Sequence, residues 1–234
     1  MARKQAQKQL KDPTPIIVGA GITEQWYFKH LQKLRKYRVK IRPRYFGREN
    51  AFELDKRVDI ILKDEGFAIV VFDADVAQRN DKERQLVERM KNKYANNKGV
   101  LFCDSLPSIE YWFLLHYKEA GRLFKTSNEV VEEIKEYNSQ FDKSEKFLEN
   151  DSWVRKLCEG ERLQQAIERC KQQEDKVNRG ESVSYSKVYK AIELLEKTAK
   201  RKFCIHTHSN EVGADAVPLY RKWGRNGGWQ CPFS

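Results

Sequence analysis

The sequence predicts an α/β fold in which helices cover a mainly parallel, four-stranded sheet, with a helical region appended at the C-terminal end. Two observations predict this class. Four short apolar runs alternate with amphipathic segments between residues 15 and 104, and this alternation favours parallel strands joined by helices. The run from Phe67 to Phe72 is also apolar without interruption, which is typical of a strand buried on both faces.

The first half of the chain contains the predicted strands. Strands are predicted over 15–19, 37–47, 67–75 and 100–104, and helices over 23–37, 49–64 and 80–97. Thr23 is predicted to cap the first helix. The second strand alternates apolar with basic residues and contains Pro43, which indicates an edge strand with one solvent-exposed face.

After Pro107 the sequence becomes helical. The spacing of apolar residues predicts helices over 107–117, 127–137, 144–158, 161–177 and 185–200, whereas residues 202–208 fit a short strand or a loop. We therefore divide the chain into a basic arm (1–13), a sheet domain (14–120) and a helical region (121–234) packed on the sheet domain.

Positive charge is concentrated at the start of the chain. The net charge is +11 over 234 residues, and residues 1–50 contain thirteen Lys or Arg but three Asp or Glu. A basic region of this kind predicts a polyanionic partner, most simply nucleic acid, although basic residues can also merely solvate a surface.

The sequence also predicts where the protein resides. No apolar run approaches the roughly 20 residues that cross a membrane, and the polar start of the chain does not resemble a signal peptide. The five cysteines are widely spaced, which favours reduced thiols over a disulfide framework. We therefore expect a cytoplasmic protein without a membrane partner.

Acidic residues follow three of the predicted strands. Glu24 comes after the first strand, Asp73 and Asp75 end the third, and Glu110 comes after the fourth. The reactive crevice of an open α/β sheet lies beyond the carboxyl ends of its strands. Carboxylates two residues apart on an extended segment point the same way and repel each other unless a cation lies between them or one of them is protonated. Asp73 and Asp75 therefore suggest a Mg²⁺ site, although a solvated turn would also accommodate them.

Three motifs, in order, resemble those of a known family. The segments GITEQWYFKHL (21–31), FDAD (72–75) and SLPSIEYWFLLHY (105–117) are similar to motifs of the RloB-like proteins of bacterial defence loci. Those proteins have the topoisomerase–primase (TOPRIM) fold, and the related OLD-type nucleases share the first two motifs. The resemblance covers residues 14 to about 118. It implies an anti-phage nuclease that uses Mg²⁺ or Mn²⁺ to cleave RNA, such as tRNA, or DNA.

The resemblance also implies roles for individual residues. Glu24, Asp73, Asp75 and Glu110 match the acids of the family motifs, which hold metal and act in catalysis. The family has a further catalytic glutamate just before the glycine of the first motif, where this chain has Ala20. Natural loss of that glutamate would leave a binder that does not cleave. A deliberate change to alanine explains better why the other four acids remain, so we expect an active parent protein and an impaired chain.

Nucleic acid is expected to contact basic residues in three parts of the chain. The tail residues could instead fold onto the body of the protein, and the lysine of the last helix could be merely solvated. The expected contacts are Lys29, Lys33, Arg38, Lys40, Arg42, Arg44, Lys187, Arg221 and Arg225.

A rival interpretation makes the chain a non-catalytic nucleic-acid-binding module with a degenerate site. In either case the sequence lacks the G-x-x-x-x-G-K-[ST] motif, so any ATP-driven sensing would come from a partner protein of the defence system.

Overall fold

The computed structural model describes residues 14–19, 21–42, 50–75 and 80–209, with side chains described up to residue 199. The chain divides into two compact units, Met1–Lys200 and Arg201–Ser234. All side-chain contacts given below lie within the first unit.

The described residues form an α/β fold around a five-stranded, mostly parallel sheet, which confirms the predicted class. The strand order is β2-β1-β3-β4-β5. The first four strands run parallel and β5 is antiparallel to β4. The strands are β1 (Pro15–Gly19), β2 (Lys40–Arg42), β3 (Phe67–Asp73), β4 (Val100–Leu106) and β5 (Tyr185–Ser186).

The prediction of four strands was wrong by one. Tyr185 and Ser186, expected to begin the last helix, pair with Leu106 and Ser105 instead. The two serine hydroxyls lie 2.8 Å apart and join the strands through their side chains. Two residues are too few for a periodic pattern, so only the neighbouring strand identifies this one.

Helices connect the strands and form most of the second half. The helices among the described residues are α1 (Ile22–Arg35), α2 (Ala51–Lys63), α3 (Asp81–Lys93), α4 (Glu110–Leu114), α5 (Ser127–Lys135), α6 (Glu145–Leu148), α7 (Ser152–Leu157), α8 (Arg162–Asn178) and α9 (Val188–Ser209).

Three helix predictions need correction. Thr23 does not cap α1, because Gly21 occupies the N-cap in an extended conformation without a side-chain hydrogen bond. The helix predicted over 144–158 is two short helices, α6 and α7, since Asp151 begins a new turn as the N-cap of α7. Residues 202–208 belong to α9 rather than to a strand or loop.

Helices cover both faces of the sheet. On one face, Val70 and Phe72 pack with Leu54 and Val58 of α2 and Met90 of α3. The hydrophobic cluster on the other face contains buried residues of β1, β3 and α1 and extends to the helices after residue 120. Its members include Ile17, Ile69, Tyr27, Trp153 and Ile192. The division of the chain at residue 120 stays a prediction.

Alternation along β3 and β4 decides which side chains face which layer. Successive residues of a strand point to opposite faces, so Asp73 shares its face with Val71, whereas Asp104 shares the other face with Phe72, its neighbour across the sheet. The acids at the ends of these strands therefore belong to two separate environments.

Candidate active site

Glu24 lies in the first turn of α1, directly after β1. Its side chain is 3% exposed, and its carboxylate folds back over the start of the helix. A Cβ at Gly21 would lie 2.6 Å from Glu24 Oε2, so any larger residue there would require this carboxylate to move. Burial, with repulsion from Glu110, raises the pKa of Glu24 to about 7, although a hydrogen bond from its own backbone N–H opposes the shift.

Asp73 ends β3 and lies beside the start of α4. Its Oδ1 accepts a hydrogen bond from the backbone N–H of Ile109 at 2.9 Å. Burial raises the pKa of Asp73 well above its ordinary value, and repulsion from Glu24, Glu110 and Asp75 adds to that shift. Asp75 follows two residues later, where its backbone N–H donates to the carbonyl of Pro107 at 3.3 Å.

Glu110 is the first residue of α4 and is 1% exposed. The hydroxyl of Ser108 donates to its Oε2 at 2.5 Å. Lys143 lies 2.8 Å from its Oε1, so both oxygens of this carboxylate have protein partners.

Lys143 is the site residue that sequence reasoning missed. It lies in the segment between α5 and α6 and is 41% exposed, yet its ammonium reaches buried Glu110. Burial would lower the pKa of Lys143, but the carboxylates of Glu110, Asp73 and Glu24 raise it above its ordinary value. Lys143 lies in a polar segment that is far from the acids along the chain. That segment contains no sequence pattern that could have identified the lysine as part of the site.

The structure therefore brings together Glu24, Asp73 and Glu110, three of the predicted site residues, with Asp75 close enough to act on Asp73. Their oxygens are the hard ligands that Mg²⁺ or Mn²⁺ prefers. However, no group of three or more His, Cys, Asp or Glu side chains within the described ranges is arranged to hold a metal ion. The donor chemistry fits a divalent ion, whereas the arrangement of the donors does not.

The predicted basic surface is described in part. Lys33, Arg38, Lys40 and Arg42 are exposed, and β2 forms the edge of the sheet, as predicted. In register, Arg42 lies beside Val18 of β1, one residue before that strand ends. Lys29 is partly buried, and its ammonium lies 3.9 Å from the centre of the Trp26 ring.

Lys187 is engaged on the opposite face of the sheet from the acids of the site. Its ammonium lies 3.2 Å from Asp104 Oδ1, and Lys91 lies 2.9 Å from Oδ2 of the same carboxylate. Tyr185 also donates to Asp104 Oδ2, at 3.0 Å. This buried network ties α3 and the start of α9 to β4, so a structural role accounts for Lys187 without nucleic acid.

Four predicted site residues lie outside the described residues: Ala20, Arg44, Arg221 and Arg225. Their expected roles stay predictions.

Comparisons with known proteins gave one finding. A family model described as "RloB-like protein" matches residues 16–195. No curated protein and no solved structure matches the chain. Among the helices that the structure describes, none has the length and apolar composition needed to span a membrane.

Proposed function

The chain belongs to the RloB-like protein family, and we propose that it has the site of a nuclease that cleaves the phosphodiester bonds of RNA, such as tRNA, or of DNA. Its biological role is that of a cytoplasmic effector in bacterial anti-phage defence. One observation carries the proposal: Glu24 and Glu110 are buried, and Asp73 lies partly buried beside them, near the carboxyl ends of β1, β3 and β4.

Burying these acids together works against folding, because each ionised carboxylate loses hydration and repels the others. The raised pKa values of Glu24 and Asp73 reflect this cost. Perturbed groups of this kind concentrate at functional sites. A purely structural role would be served as well by apolar residues, which often replace buried charges without loss of stability.

Glu24, Asp73, Asp75 and Glu110 supply the oxygen donors that Mg²⁺ or Mn²⁺ prefers, and these side chains would have to rearrange from their described positions to hold such an ion. When bound, such an ion polarises a phosphate oxygen as a Lewis acid. The protein's own side chains bind and orient the substrate. The exposed basic residues of β2 and α1 attract the phosphate backbone. The neighbouring carboxylates orient the groups around the scissile bond.

Position 20, where the family resemblance leads us to expect glutamate and this chain has Ala20, gives the proposal its test. Ala20→Glu should produce cleavage of tRNA or of single-stranded or duplex DNA in the presence of Mg²⁺ or Mn²⁺, and EDTA should abolish it. Ala20→Gln is the matched control, because it adds similar bulk without a charge and should remain inactive. If Ala20→Glu cleaves none of these substrates, or cleaves equally well when Asp73→Asn and Asp75→Asn are added, the nuclease proposal fails.

The rival function is a nucleic-acid-binding module without catalysis. The observation that favours it is that Glu110 and Asp73 already accept hydrogen bonds from protein groups. In that case position 20 is naturally alanine, and Ala20→Glu would bind nucleic acid but not cleave it. Any coupling to ATP-driven sensing would, for either function, require a partner protein.

A further inference from the structure

Lys143 covers the buried carboxylate of Glu110 on its solvent side. The Lys143 side chain is 41% exposed, whereas Glu110, whose Oε1 lies 2.8 Å from the lysine ammonium, is 1% exposed. The positive end of this ion pair therefore faces outward and the negative end faces the interior. A ligand that approaches Glu110 from the solvent meets the ammonium first.

The segment around Lys143 is anchored on both sides. Phe141 is buried, and its ring packs with those of Phe147 and Trp153. Ser144 caps α6, because its side chain accepts a hydrogen bond from the backbone N–H of Phe147. The backbone of Lys143 therefore lies between a core residue and a helix cap, and the fold presents the ammonium at a defined position.

The ammonium of Lys143 has room for a further acceptor at this position. An ammonium group has three N–H donors, and within the part of the chain that the structure describes, the acceptor at ion-pair distance from Nζ is Glu110 Oε1. Burial would lower the pKa of Lys143, but the carboxylates of Glu110, Asp73 and Glu24 raise it above its ordinary value, so the ammonium is charged at neutral pH. A second acceptor can bind on the exposed side while the contact with Glu110 stays in place.

The surroundings of Lys143 favour a phosphate oxygen as that acceptor. A phosphodiester near the acids of the site is repelled by them unless a positive group lies between the two. Lysine binds phosphate as a compact point charge, and Lys143 acts on all three acids, Glu110, Asp73 and Glu24. The lysine is therefore placed to separate a bound phosphate from the carboxylates behind it.

A second cation lies at the same edge of the sheet. Arg42 ends β2 and Asp73 ends β3, and both strands run parallel to β1, which lies between them. Neighbouring strands are about 4.8 Å apart, so the ends of β2 and β3 are separated by about 10 Å. A nucleic-acid backbone that follows this edge would pass from exposed Arg42 to the acids of the site, where Lys143 lies.

We propose that Lys143 binds a backbone phosphate of the nucleic acid while it remains paired with Glu110. This inference rests on the proposed function, since it assumes that the site receives a phosphodiester. Glu110 holds the ammonium at the mouth of the site, and the ammonium holds the phosphate over the buried acids.

The test measures binding of the full chain to a labelled tRNA and to a short single-stranded DNA, by fluorescence anisotropy in EDTA over a range of salt concentrations. Lys143→Met keeps the length of the side chain but removes its charge, and Lys143→Arg keeps the charge. Lys143→Met combined with Glu110→Gln removes both charges, so it leaves no buried carboxylate without its partner. Lys63→Met is the matched control, since Lys63 is an exposed lysine at the end of α2, which leads into the opposite edge of the sheet.

Lys143→Met should weaken binding about tenfold at low salt, as expected for the loss of a hydrogen bond to a charged group. The plot of log K against log salt concentration should become less steep by about 0.7 to 0.9, which corresponds to one phosphate contact. The double variant should show the same losses with a Tm close to that of the parent chain. Lys143→Arg and Lys63→Met should bind like the parent.

Two results would overturn the inference. One is unchanged affinity and salt dependence in Lys143→Met. The other is a loss of binding in Lys143→Met that the double variant restores, because such a loss would report the unpaired carboxylate of Glu110 rather than a phosphate contact.

Cleavage by Ala20→Glu separates this inference from the proposed function. If Ala20→Glu cleaves nucleic acid but Lys143→Met binds it like the parent chain, only the inference fails. If Lys143→Met weakens binding but Ala20→Glu does not cleave, the nuclease proposal fails and the phosphate contact stands as a property of a binding module. If the parent chain binds neither the tRNA nor the DNA, both fail.

Discussion

Replacing Glu110 by glutamine separates a catalytic site from a structural one. Glutamine keeps the size of the side chain and can still accept a hydrogen bond from Ser108, but it removes the charge that pairs with Lys143 and repels Asp73 and Glu24. The change is made in the Ala20→Glu variant, in which we expect the proposed nuclease to be active.

Loss of the Glu110 charge should reduce cleavage by at least about 100-fold, which corresponds to about 2.7 kcal/mol of activation free energy. The effect on stability should be much smaller, because two contributions oppose each other. The ion pair with the 41%-exposed Lys143 is lost, which is worth at most about 1–2 kcal/mol after solvent screening. Relief of repulsion within the buried acids offsets part of that loss. We therefore expect a net change within about 1 kcal/mol, or about 2–4 °C in Tm for a chain of this size.

The assay combines single-turnover cleavage of a labelled tRNA with a thermal melt of the same preparation. Glu132→Gln is the control, since it removes an acid that is 71% exposed and paired with Lys135 of the same helix. It should change neither cleavage nor Tm. If Glu110→Gln keeps cleavage within tenfold of its parent while Tm drops by more than about 5 °C, Glu110 belongs to the scaffold and the catalytic interpretation of this residue is wrong.

Two further predictions concern stability and binding. Burial alone would raise the pKa of Asp104, but its two lysine partners lower it below the ordinary value, so its stabilising contribution is present at neutral pH and lost as pH falls through that lowered pKa. Asp104→Asn should therefore lower the free energy of unfolding by urea at pH 7 by about 2 kcal/mol, less than the loss of a fully buried pair, because the two lysines are about one-third exposed. This difference should become smaller below about pH 4. The exposed control Asp81→Asn should lower the free energy of unfolding by less than about 0.5 kcal/mol. A cost for Asp104→Asn as small as that of the control would contradict the structural role of its network. The affinity of the chain for nucleic acid should fall steeply as the salt concentration rises. Replacing three exposed residues at the edge strand of the sheet by glutamate should decrease the steepness of the plot of log K against log salt concentration by about 2 to 3. These residues are Arg38, Lys40 and Arg42. An unchanged slope would show that this edge does not contact phosphates.

The sequence by itself was sufficient to predict the class of fold and most of the acids that the structure brings together. The uninterrupted apolar run of β3 could only be buried on both faces, and its carboxyl end carries Asp73. Parallel strands place their carboxyl ends at one edge, so the order of the predicted elements alone makes Glu24 and Asp73 neighbours. The local pattern also identified the second strand as an edge strand, because basic residues alternate with Val39 and Ile41 in the predicted segment 37–47.

Pairings between distant segments needed the tertiary structure. Strand β5 is two residues long and is defined by its partner Ser105, not by its own sequence. Lys187 is expected from sequence to be solvated or bound to phosphate, but the fold places its ammonium on Asp104. The position of the Glu24 carboxylate likewise depends on Gly21, since a Cβ at residue 21 would lie 2.6 Å from Glu24 Oε2.

Lys143 shows the physical reason for this division. Periodicity reports which face of an element is buried, because burial is a property of each residue's own surroundings along one helix or strand. An ion pair depends instead on where two separate segments meet in space. The order of the predicted elements therefore made Glu24 and Asp73 neighbours, and the family resemblance added Glu110. Only the tertiary structure decided that Lys143, from a distant polar segment, pairs with Glu110.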